Sequence, residues 1–398
     1  MGRTVVSTDL LMQPIAQFSF GMRAGNIVRI GATAGTDAAR RLIGSTPGLV
    51  DVAAQTAQML VNFEISLELL GAATTDVVQI RTWLSDWRDR ARFEAAVQKH
   101  WPHMAACHSI VGSAGFPIPQ AAVEAELMAI VGGDRTSLNA PRLGAASAAG
   151  ANAGVRAGVH HFCTVGPADD ALLADFAARA RSCLDQLEIA LDAAGLRLLD
   201  LVMLNVNVSD LRLLPVFDRV FGDRMRPPYP ARTVSGTSLP DPRWLFSLDA
   251  IAIAGGGTPI GPDAGPGSAP ASAAMLAGDE LFIGGVLGSA VGAARSDSVE
   301  GQTHGAWERI GELLAAAGMT ADDVLHTTNT LTDWRSYDAF NATYGTHVSP
   351  PYPPRATVVA TLAEQAALVM IEVHAHRGAR EGRFIGFAPP GFASSPAG

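Results

Sequence analysis

Apolar side chains recur every three or four residues in three separate segments of the chain, and a glycine follows each segment. The segments and their glycines are 52–70 with Gly71, 176–191 with Gly195, and 307–314 with Gly318. This spacing predicts three amphipathic helices. The glycine after each segment provides the left-handed residue that commonly ends a helix.

After each glycine the pattern changes to alternation of apolar and polar residues, in VVQIRTWLSD, LVMLNVNVSD and VLHTTNTLTD. A period of two predicts a strand with one polar face. A second helix is predicted through Phe93, Phe217 or Phe340, and two further strands close each unit. The apolar runs NIVRIGA, GVHHFCTV and ELFIGGV lie near the start of the units. The predicted order is therefore β-β-α-β-α-β-β, an α+β module with helices on one face of a sheet.

The three units keep a constant register along the chain. The stretch PPYPARTVSG (227–236) is nearly repeated in PPYPPRATVV (350–359), and Arg232 and Arg355 lie 123 residues apart. Glycine, aspartate and phenylalanine positions recur at the same separation, and a step of 124 residues extends the match to the first unit, where His108 replaces the arginine. This register predicts three tandem copies of one fold.

Composition is compatible with three ordinary modules. The chain has 398 residues, of which 48% are hydrophobic and 17% charged, as in soluble globular proteins. The predicted repeats are 1–133, 134–256 and 257–380, followed by a C-terminal tail at 381–398. The Gly/Pro-rich stretches GGDRTSLNAP (132–141) and GGGTPIGPDAGPGSAP (255–270) are interpreted as linkers.

Charge and cysteine content exclude several classes of function. The net charge is −9 and no basic run occurs, which argues against nucleic acid as a partner. Three cysteines without CxxC spacing fit a reducing compartment and argue against a disulfide or zinc framework. No apolar run of membrane-spanning length and no leader pattern is evident, so a cytoplasmic protein without membrane partners is expected.

The order of these motifs resembles the RidA/YjgF family of enamine and imine deaminases. The resemblance is carried by PIAQFSFGMRAGNIVRIGA in the first copy, LPDPRWLFSLDAIAI in the second and YDAFNATYGTHVSPPYPPR in the third. It implies three units of the chorismate-mutase-like type in an intramolecular pseudo-trimer with a ligand cleft between each pair. No cofactor is expected. His374 and His376 lie two apart on one predicted strand but lack a third ligand in the sequence, so no metal site is expected either. Because three copies already close a ring, a monomer or weak dimer is expected in solution.

The resemblance also implies which positions line the clefts. The carboxylate-binding arginine of the family corresponds to Arg232, Arg355 and, in the first copy, His108. An asparagine that contacts the ligand corresponds to Asn341, Asp218 and Glu94. The glutamate that positions the attacking water corresponds to Glu124, and to Ser247 and Met370 in the other copies.

No copy keeps both the arginine and the glutamate, so several interpretations remain open. His108 and Glu124 are predicted to form an acid–base couple if their strands are adjacent, or His108 is a structural histidine. Arg232 and Arg355 either bind a carboxylate ligand or bridge carboxylates of the protein. Three further carboxylates share one register two residues later and are interpreted as structural: Glu126, Asp249 and Glu372.

The expected function is hydrolysis of a small enamine or imine that bears a carboxylate, with release of ammonia. Two alternatives remain open at the level of the sequence. One is an enzyme of different chemistry on the same scaffold, such as a hydrolase, lyase or tautomerase. The other is a protein that binds a carboxylate metabolite without converting it, since fold by itself does not choose between them.

Overall fold

The computed structural model describes residues 3–138, 154–168, 174–261, 269–288, 297–379 and 382–385. The chain folds into three similar units, each a mixed β-sheet with two helices packed on one face. The fold is therefore an α+β unit repeated three times, as the sequence predicts. In the part of the chain that is described, no helix combines the length and apolarity needed to cross a bilayer.

The first repeat contains eight strands, two of them very short, and two helices. Their bounds are β1 (Arg3–Val6), β2 (Gly21–Ala24), β3 (Ile27–Ala34), β4 (Ser45–Thr46), β5 (Leu49–Val50), α1 (Val52–Leu69), β6 (Val77–Leu84), α2 (Arg90–His100), β7 (Cys107–Gly112) and β8 (Val123–Ile130). In the sheet the order is β1-β2-β3-β8-β6-β7, so β6 separates β7 from β8.

The second and third repeats have the same arrangement. The second comprises β9 (Arg135–Leu138), β10 (Gly154–Ala157), β11 (His160–Val165), α3 (Phe176–Ala193), β12 (Leu201–Val208), α4 (Leu214–Arg224), β13 (Ala231–Gly236) and β14 (Phe246–Ile253). The third comprises β15 (Thr258–Ile260), β16 (Ala274–Ala277), β17 (Glu280–Leu287), α5 (Val299–Ala316), β18 (Val324–Leu331), α6 (Tyr337–Tyr344), β19 (Arg355–Val359) and β20 (Val369–His376).

The long helix of each repeat forms where the apolar period predicts it. In α1 the buried face includes Met59, Phe63 and Leu67, which pack on the sheet. The side chain of Asp51 accepts hydrogen bonds from the backbone N–H groups of the first turn. Gly71 follows the helix with a φ of 65°, which confirms the left-handed residue expected there.

The predicted linkers are partly wrong, because each repeat begins with a short strand that the sequence pattern does not reveal. Residues Arg135–Leu138 and Thr258–Ile260 form β9 and β15, which pair with the first hairpin of their repeats as β1 does. Strands of three or four residues beside Gly and Pro lack enough alternation to be recognised. After the third repeat, β21 (Gly382–Ile385) pairs in parallel with β1 and so adds an edge strand to the sheet of the first repeat. The rest of the predicted tail, 386–398, lies outside the described residues.

The three repeats form a closed ring. The edge strand of each repeat contacts the second hairpin strand of the next: β7 contacts β11, β13 contacts β17, and β19 contacts β3. A single apolar cluster draws residues from all three repeats, among them Met22, Phe162 and Met275. The ring therefore makes intramolecularly the contacts that separate subunits of a trimer would make.

Polar groups that face the shared interior cross-link the three sheets. Nε of Arg81 donates a hydrogen bond of 2.5 Å to Glu126, and Nη2 donates one of 3.2 Å to Glu372 of the third repeat. Asn205 of the second repeat donates to the other oxygen of Glu372 over 2.8 Å. Asp249 accepts from Thr164 at 2.7 Å. These contacts agree with a structural role for the three carboxylates.

Candidate active-site clefts

Each edge strand meets the next repeat at a junction, and we use the word cleft for the side-chain environment of each junction. We name the three clefts after the residue at the arginine position: the Arg355 cleft between the third and first repeats, the Arg232 cleft between the second and third, and the His108 cleft between the first and second. At two junctions a glycine permits close approach. A Cβ atom at Gly31 would lie 2.6 Å from the backbone N and O of Arg355, and one at Gly284 would lie 2.5 Å from the carbonyl oxygen of Arg232.

The strands that carry these glycines are interrupted at the same place. Pairing of β3 with β8 is irregular between Ile30 and Thr33, and pairing of β17 with β20 is irregular between Ile283 and Val286. In the second repeat β11 follows β14 without interruption, and Thr164 lies where the glycine would be. The His108 cleft is therefore built differently from the other two, since a bulge redirects the strand locally.

In the Arg355 cleft, the guanidinium is held rigidly by the third repeat. Nη2 of Arg355 donates to Oδ1 of Asn341 on α6. The guanidinium carbon lies 4.4 Å from the ring centroid of Tyr344 and 5.9 Å from that of Phe18 of the first repeat. Cation–π contacts of this kind are strengthened where water is excluded, and Arg355 is only 4% exposed.

The other side of this guanidinium is not satisfied by the protein. Nη1 of Arg355 is buried and has no hydrogen-bond acceptor in suitable geometry among the described residues. Two buried oxygens of the first repeat, Oε1 of Gln17 and Oγ of Ser19, likewise have no partner within the described ranges. Both flank Phe18, which contacts Arg355. Buried polar groups are normally hydrogen-bonded, so the unsatisfied Nη1 of Arg355 indicates a place for a polar ligand.

Glu124 belongs to the same cleft, although it comes from the first repeat. The pKa of the Tyr337 hydroxyl is raised by burial, and it responds both to the positive charge of Arg355 and to the carboxyl group of Glu124. Tyr337 begins α6, the helix that carries Asn341. Ring closure thus places Tyr337 of the third repeat within electrostatic range of Arg355 and of Glu124 of the first repeat.

The electrostatic state of Glu124 differs from that of an ordinary surface carboxylate. The side chain is 4% exposed, and burial raises its pKa to about 8. At neutral pH the carboxyl group is therefore largely protonated, while Arg355 remains charged. The cleft combines a fixed cation with a neutral carboxylic acid, which is an arrangement suited to an anionic substrate that must gain a proton.

The Arg232 cleft has a different set of groups. Nη1 of Arg232 donates to Oδ1 of Asp218 at 2.6 Å and forms an ion pair whose side chains are 5% and 23% exposed, respectively. The glutamate position is occupied by Met370, which packs with Leu362 and Ala367. Arg232 and Asp218, both predicted to bind substrate, are bound to each other.

The His108 cleft lacks both charged groups of the Arg355 cleft. Glu94, predicted to contact a ligand, accepts a hydrogen bond of 2.7 Å from Arg90 one helical turn before it. Ser247 occupies the glutamate position and is buried. The remaining candidate in this cleft is His108 itself.

The predicted acid–base couple of His108 and Glu124 is wrong in its geometry. Strand β6 lies between the two strands that carry them. Nε2 of His108 lies 2.8 Å from Oγ1 of Thr82, and its ring packs edge-on to Phe93, so it points toward the helices. Glu124 is paired with Trp83 and points to the opposite face. Burial lowers the pKa of His108 to about 3, as expected for a neutral structural histidine.

Sequence reasoning missed several groups of the Arg355 cleft: Gln17, Phe18, Ser19, Tyr337 and Tyr344. Gln17 lies within the PxxQ stretch, and both tyrosines lie in YDAFNATY beside Asn341, so their motifs were visible in the sequence. The sequence did not show that residues of the two motifs lie close together, because this depends on contact between the first and third repeats. Within the described residues no group of three or more His, Cys, Asp or Glu side chains is arranged to hold a metal ion.

Comparisons with known proteins agree with this arrangement. The sequence model described as Endoribonuclease L-PSP matches residues 9–131 and 264–377, in the first and third repeats. Reactive Intermediate Deaminase A, chloroplastic, of Arabidopsis thaliana is 33% identical over 105 residues, which are 26% of this chain and 56% of that protein. The chain thus spans little more than half the length of this relative.

Two solved structures are similar to parts of this chain. A chorismatase structure matches with a TM-score of 0.55 and 14% identity, covering 75% of this chain and 93% of that chain. RidA from the Antarctic bacterium Psychrobacter sp. is 28% identical and covers 30% of this chain and 98% of its own, with a TM-score of 0.27. The chorismatase match supports the fold, extended over most of the ring.

Proposed function

The chain belongs to the YjgF/RidA family, whose sequence model is described as Endoribonuclease L-PSP, and on that premise we propose that its Arg355 cleft hydrolyses a small carboxylate-bearing enamine or imine. The observation that carries the proposal is the buried, unsatisfied Nη1 of Arg355 in the same cleft as a protonated Glu124. One group is suited to hold an anion, and the other to move a proton.

Recognition begins at the guanidinium. Asn341 holds Nη2, and the aromatic rings of Tyr344 and Phe18 fix the plane of the guanidinium. A substrate carboxylate can then accept from Nη1, in a charge-assisted hydrogen bond that is stronger than one between neutral groups. The unsatisfied oxygens of Gln17 and Ser19 provide acceptors for N–H groups of the substrate.

Glu124 supplies the proton transfers. Its protonated carboxyl group gives a proton to the β-carbon of a 2-enamine acid, and the C=C bond becomes a C=N bond of an iminium. The resulting carboxylate accepts a proton from water while the water oxygen bonds to the iminium carbon. Glu124 then returns that proton to nitrogen. As the C–N bond breaks, the hydroxyl proton of the intermediate passes to the Glu124 carboxylate, so ammonia and a 2-oxo acid are formed and the carboxyl group is protonated again. A pKa near the working pH suits a group that acts as acid and base in turn.

The proposal is tested by ammonia release. A 2-imino acid is generated in situ from an amino acid by an amino-acid oxidase, and its decay is followed with and without the protein. We expect a faster decay with the wild type and none of this acceleration with Arg355→Gln. If the wild type binds pyruvate but leaves the decay at its uncatalysed rate, the protein is a carboxylate-binding protein rather than a deaminase.

A second candidate is hydrolysis of another carboxylate substrate in the same cleft. The observation in its favour is the chorismatase match, which extends over three quarters of the chain. Incubation with chorismate, followed by chromatography, tests it directly. Consumption of chorismate that is lost in Arg355→Gln would favour this candidate over the deaminase.

A further inference from the structure

The Arg232 cleft has the architecture of the Arg355 cleft, but its cation is already paired. We propose that the Arg232 cleft is a latent carboxylate site occupied by the carboxylate of the protein's own Asp218, and that the residue at this one position decides which cleft takes a ligand. The inference rests on the proposed anion-binding role of the Arg355 cleft and extends it to the number of working sites in the ring.

The backbone framework of the two clefts is the same. Arg232 lies at the start of β13, and Arg355 lies at the start of β19. Each packs against a glycine of the next repeat: Arg232 against Gly284, and Arg355 against Gly31. The irregularity in strand pairing follows each glycine. The framework that presents a guanidinium to a ligand is therefore present twice.

The difference lies on the short helix beside each arginine. Asn341 on α6 and Asp218 on α4 both accept a hydrogen bond from the arginine at their cleft through Oδ1. The amide of Asn341 is neutral, so the Arg355 pair keeps a net charge of +1. The carboxylate of Asp218 neutralises Arg232, so its pair has no net charge.

Charge and tethering both disfavour a free carboxylate in the Arg232 cleft. The 2.6 Å contact between Arg232 and Asp218 already makes a charge-assisted hydrogen bond like the one that a ligand would make. A carboxylate in the same chain competes at a high effective concentration. Asp218 would also repel an incoming anion. Wild-type protein is therefore expected to bind a monocarboxylate in the Arg355 cleft and not in the Arg232 cleft.

The reciprocal pair of substitutions separates this explanation from others. Asp218→Asn removes the competing charge and keeps the size and the Oδ1 acceptor, which leaves Arg232 with its positive charge uncompensated. Asn341→Asp makes the opposite change and provides Arg355 with an internal carboxylate. If one position controls access, the first substitution opens a cleft and the second closes one.

The test measures binding of pyruvate, a 2-oxo acid of the product class, to the full chain by calorimetry. Arg355→Gln should weaken binding at least about tenfold, which corresponds to about 1.4 kcal/mol. Adding Asp218→Asn to that variant should restore binding to within about tenfold of the wild-type dissociation constant. The restored cleft should release no ammonia from a 2-imino acid, because Met370 stands at its glutamate position.

Each other outcome overturns the inference in a distinguishable way. Undiminished binding in Arg355→Gln would mean that another cleft is already open. Loss in Arg355→Gln without recovery in the double variant would refute the latent site and leave the proposed function intact. No binding by the wild type would refute both. If thermal melting shows that the double variant is unfolded, Asn341→Asp decides: wild-type affinity in that single variant would refute the inference.

Discussion

Gly31 of the first repeat lies directly against the backbone of Arg355 of the third, so closely that a Cβ atom there would be 2.6 Å from both the nitrogen and the oxygen of Arg355. The neighbouring atoms belong to a strand and cannot move aside as the end of a flexible side chain can. The glycine thus sets how near the two repeats approach at the cleft.

Gly31→Ala is therefore expected to force β19 away from β3. Overpacking of this kind costs about 1–3 kcal/mol in the free energy of unfolding. A displacement of the cleft by roughly 1 Å is expected to lower kcat/KM by about 10²-fold. Denaturant unfolding and the ammonia assay measure the two effects.

Gly311→Ala is the control for that change, because a Cβ atom at this position of α5 meets no atom within 4 Å. There the substitution should raise stability by about 0.5–1 kcal/mol, as alanine is the better helix former. Equal effects of the two substitutions would contradict the role assigned to Gly31.

Glu124→Gln is expected to lower turnover by about 10²-fold or more, because the amide keeps the shape but cannot exchange a proton. With an enamine substrate, wild-type kcat/KM should fall as the pH rises through about 8, because the carboxyl group of Glu124 then loses the proton that it donates. The variant should lack this decline. Met370→Leu, at the matching position of the third repeat, is the control and should leave turnover unchanged.

The same substitution should change stability with a defined sign. The pKa of Glu124 in the folded protein, about 8, lies above its ordinary value of 4.5. The contribution of Glu124 to the free energy of unfolding is therefore full below about pH 4.5 and is lost as the pH rises to about 8. Glu124→Gln should therefore be closest to the wild type at acid pH and relatively more stable at pH 9. The reverse order in urea titrations would show that the carboxyl is not buried as described.

His108→Gln should leave turnover nearly unchanged, because His108 faces the helices rather than a carboxylate. Burial lowers its pKa from 6.5 to about 3, so its contribution to stability is full above about pH 6.5 and is lost as the pH falls toward 3. Between these values the unfolding free energy of the variant should depend on pH less steeply, by about 1.4 kcal/mol per pH unit. Loss of activity in a folded variant would restore His108 as a catalytic candidate.

Arg81→Met should be among the most damaging changes in the ring. It removes the cation between Glu126 and Glu372, which are buried or nearly so. Glu126 then keeps Arg29 at 3.7 Å and His326 at 3.3 Å, and Glu372 keeps the neutral amide of Asn205. Breaking a buried ion pair by removal of one partner costs about 3–5 kcal/mol. Arg88→Ala, which breaks a surface pair with Asp86, should leave the free energy of unfolding almost unchanged. Chemical denaturation compares the two.

A single chain should be the species in solution, because its repeats already form a closed ring. Sedimentation equilibrium at micromolar concentration is expected to give the mass of one chain. A stable trimer would mean that the ring presents a further self-complementary surface.

Local sequence patterns determined the three repeats and their main elements. Helical and strand periods are set within a segment by side-chain spacing, and a glycine such as Gly71 marks a helix end by its own conformational freedom. The resemblance to the RidA/YjgF family implied Arg355, Asn341 and Glu124 as candidate site residues. Short strands such as β9 were missed because three or four residues carry too little pattern.

Tertiary structure decided which of these residues meet. The strand of Arg355 contacts β3 of the first repeat only because the third repeat closes onto the first, and no spacing within one repeat encodes that contact. His108 was separated from Glu124 by strand order and by the two-residue alternation of the sheet, which directs the side chains to opposite faces. The group that each arginine contacts decides whether the arginine is available to a ligand. Arg355 contacts the neutral amide of Asn341, whereas Arg232 contacts the carboxylate of Asp218. These contacts form only when the strands and helices of the repeat are assembled.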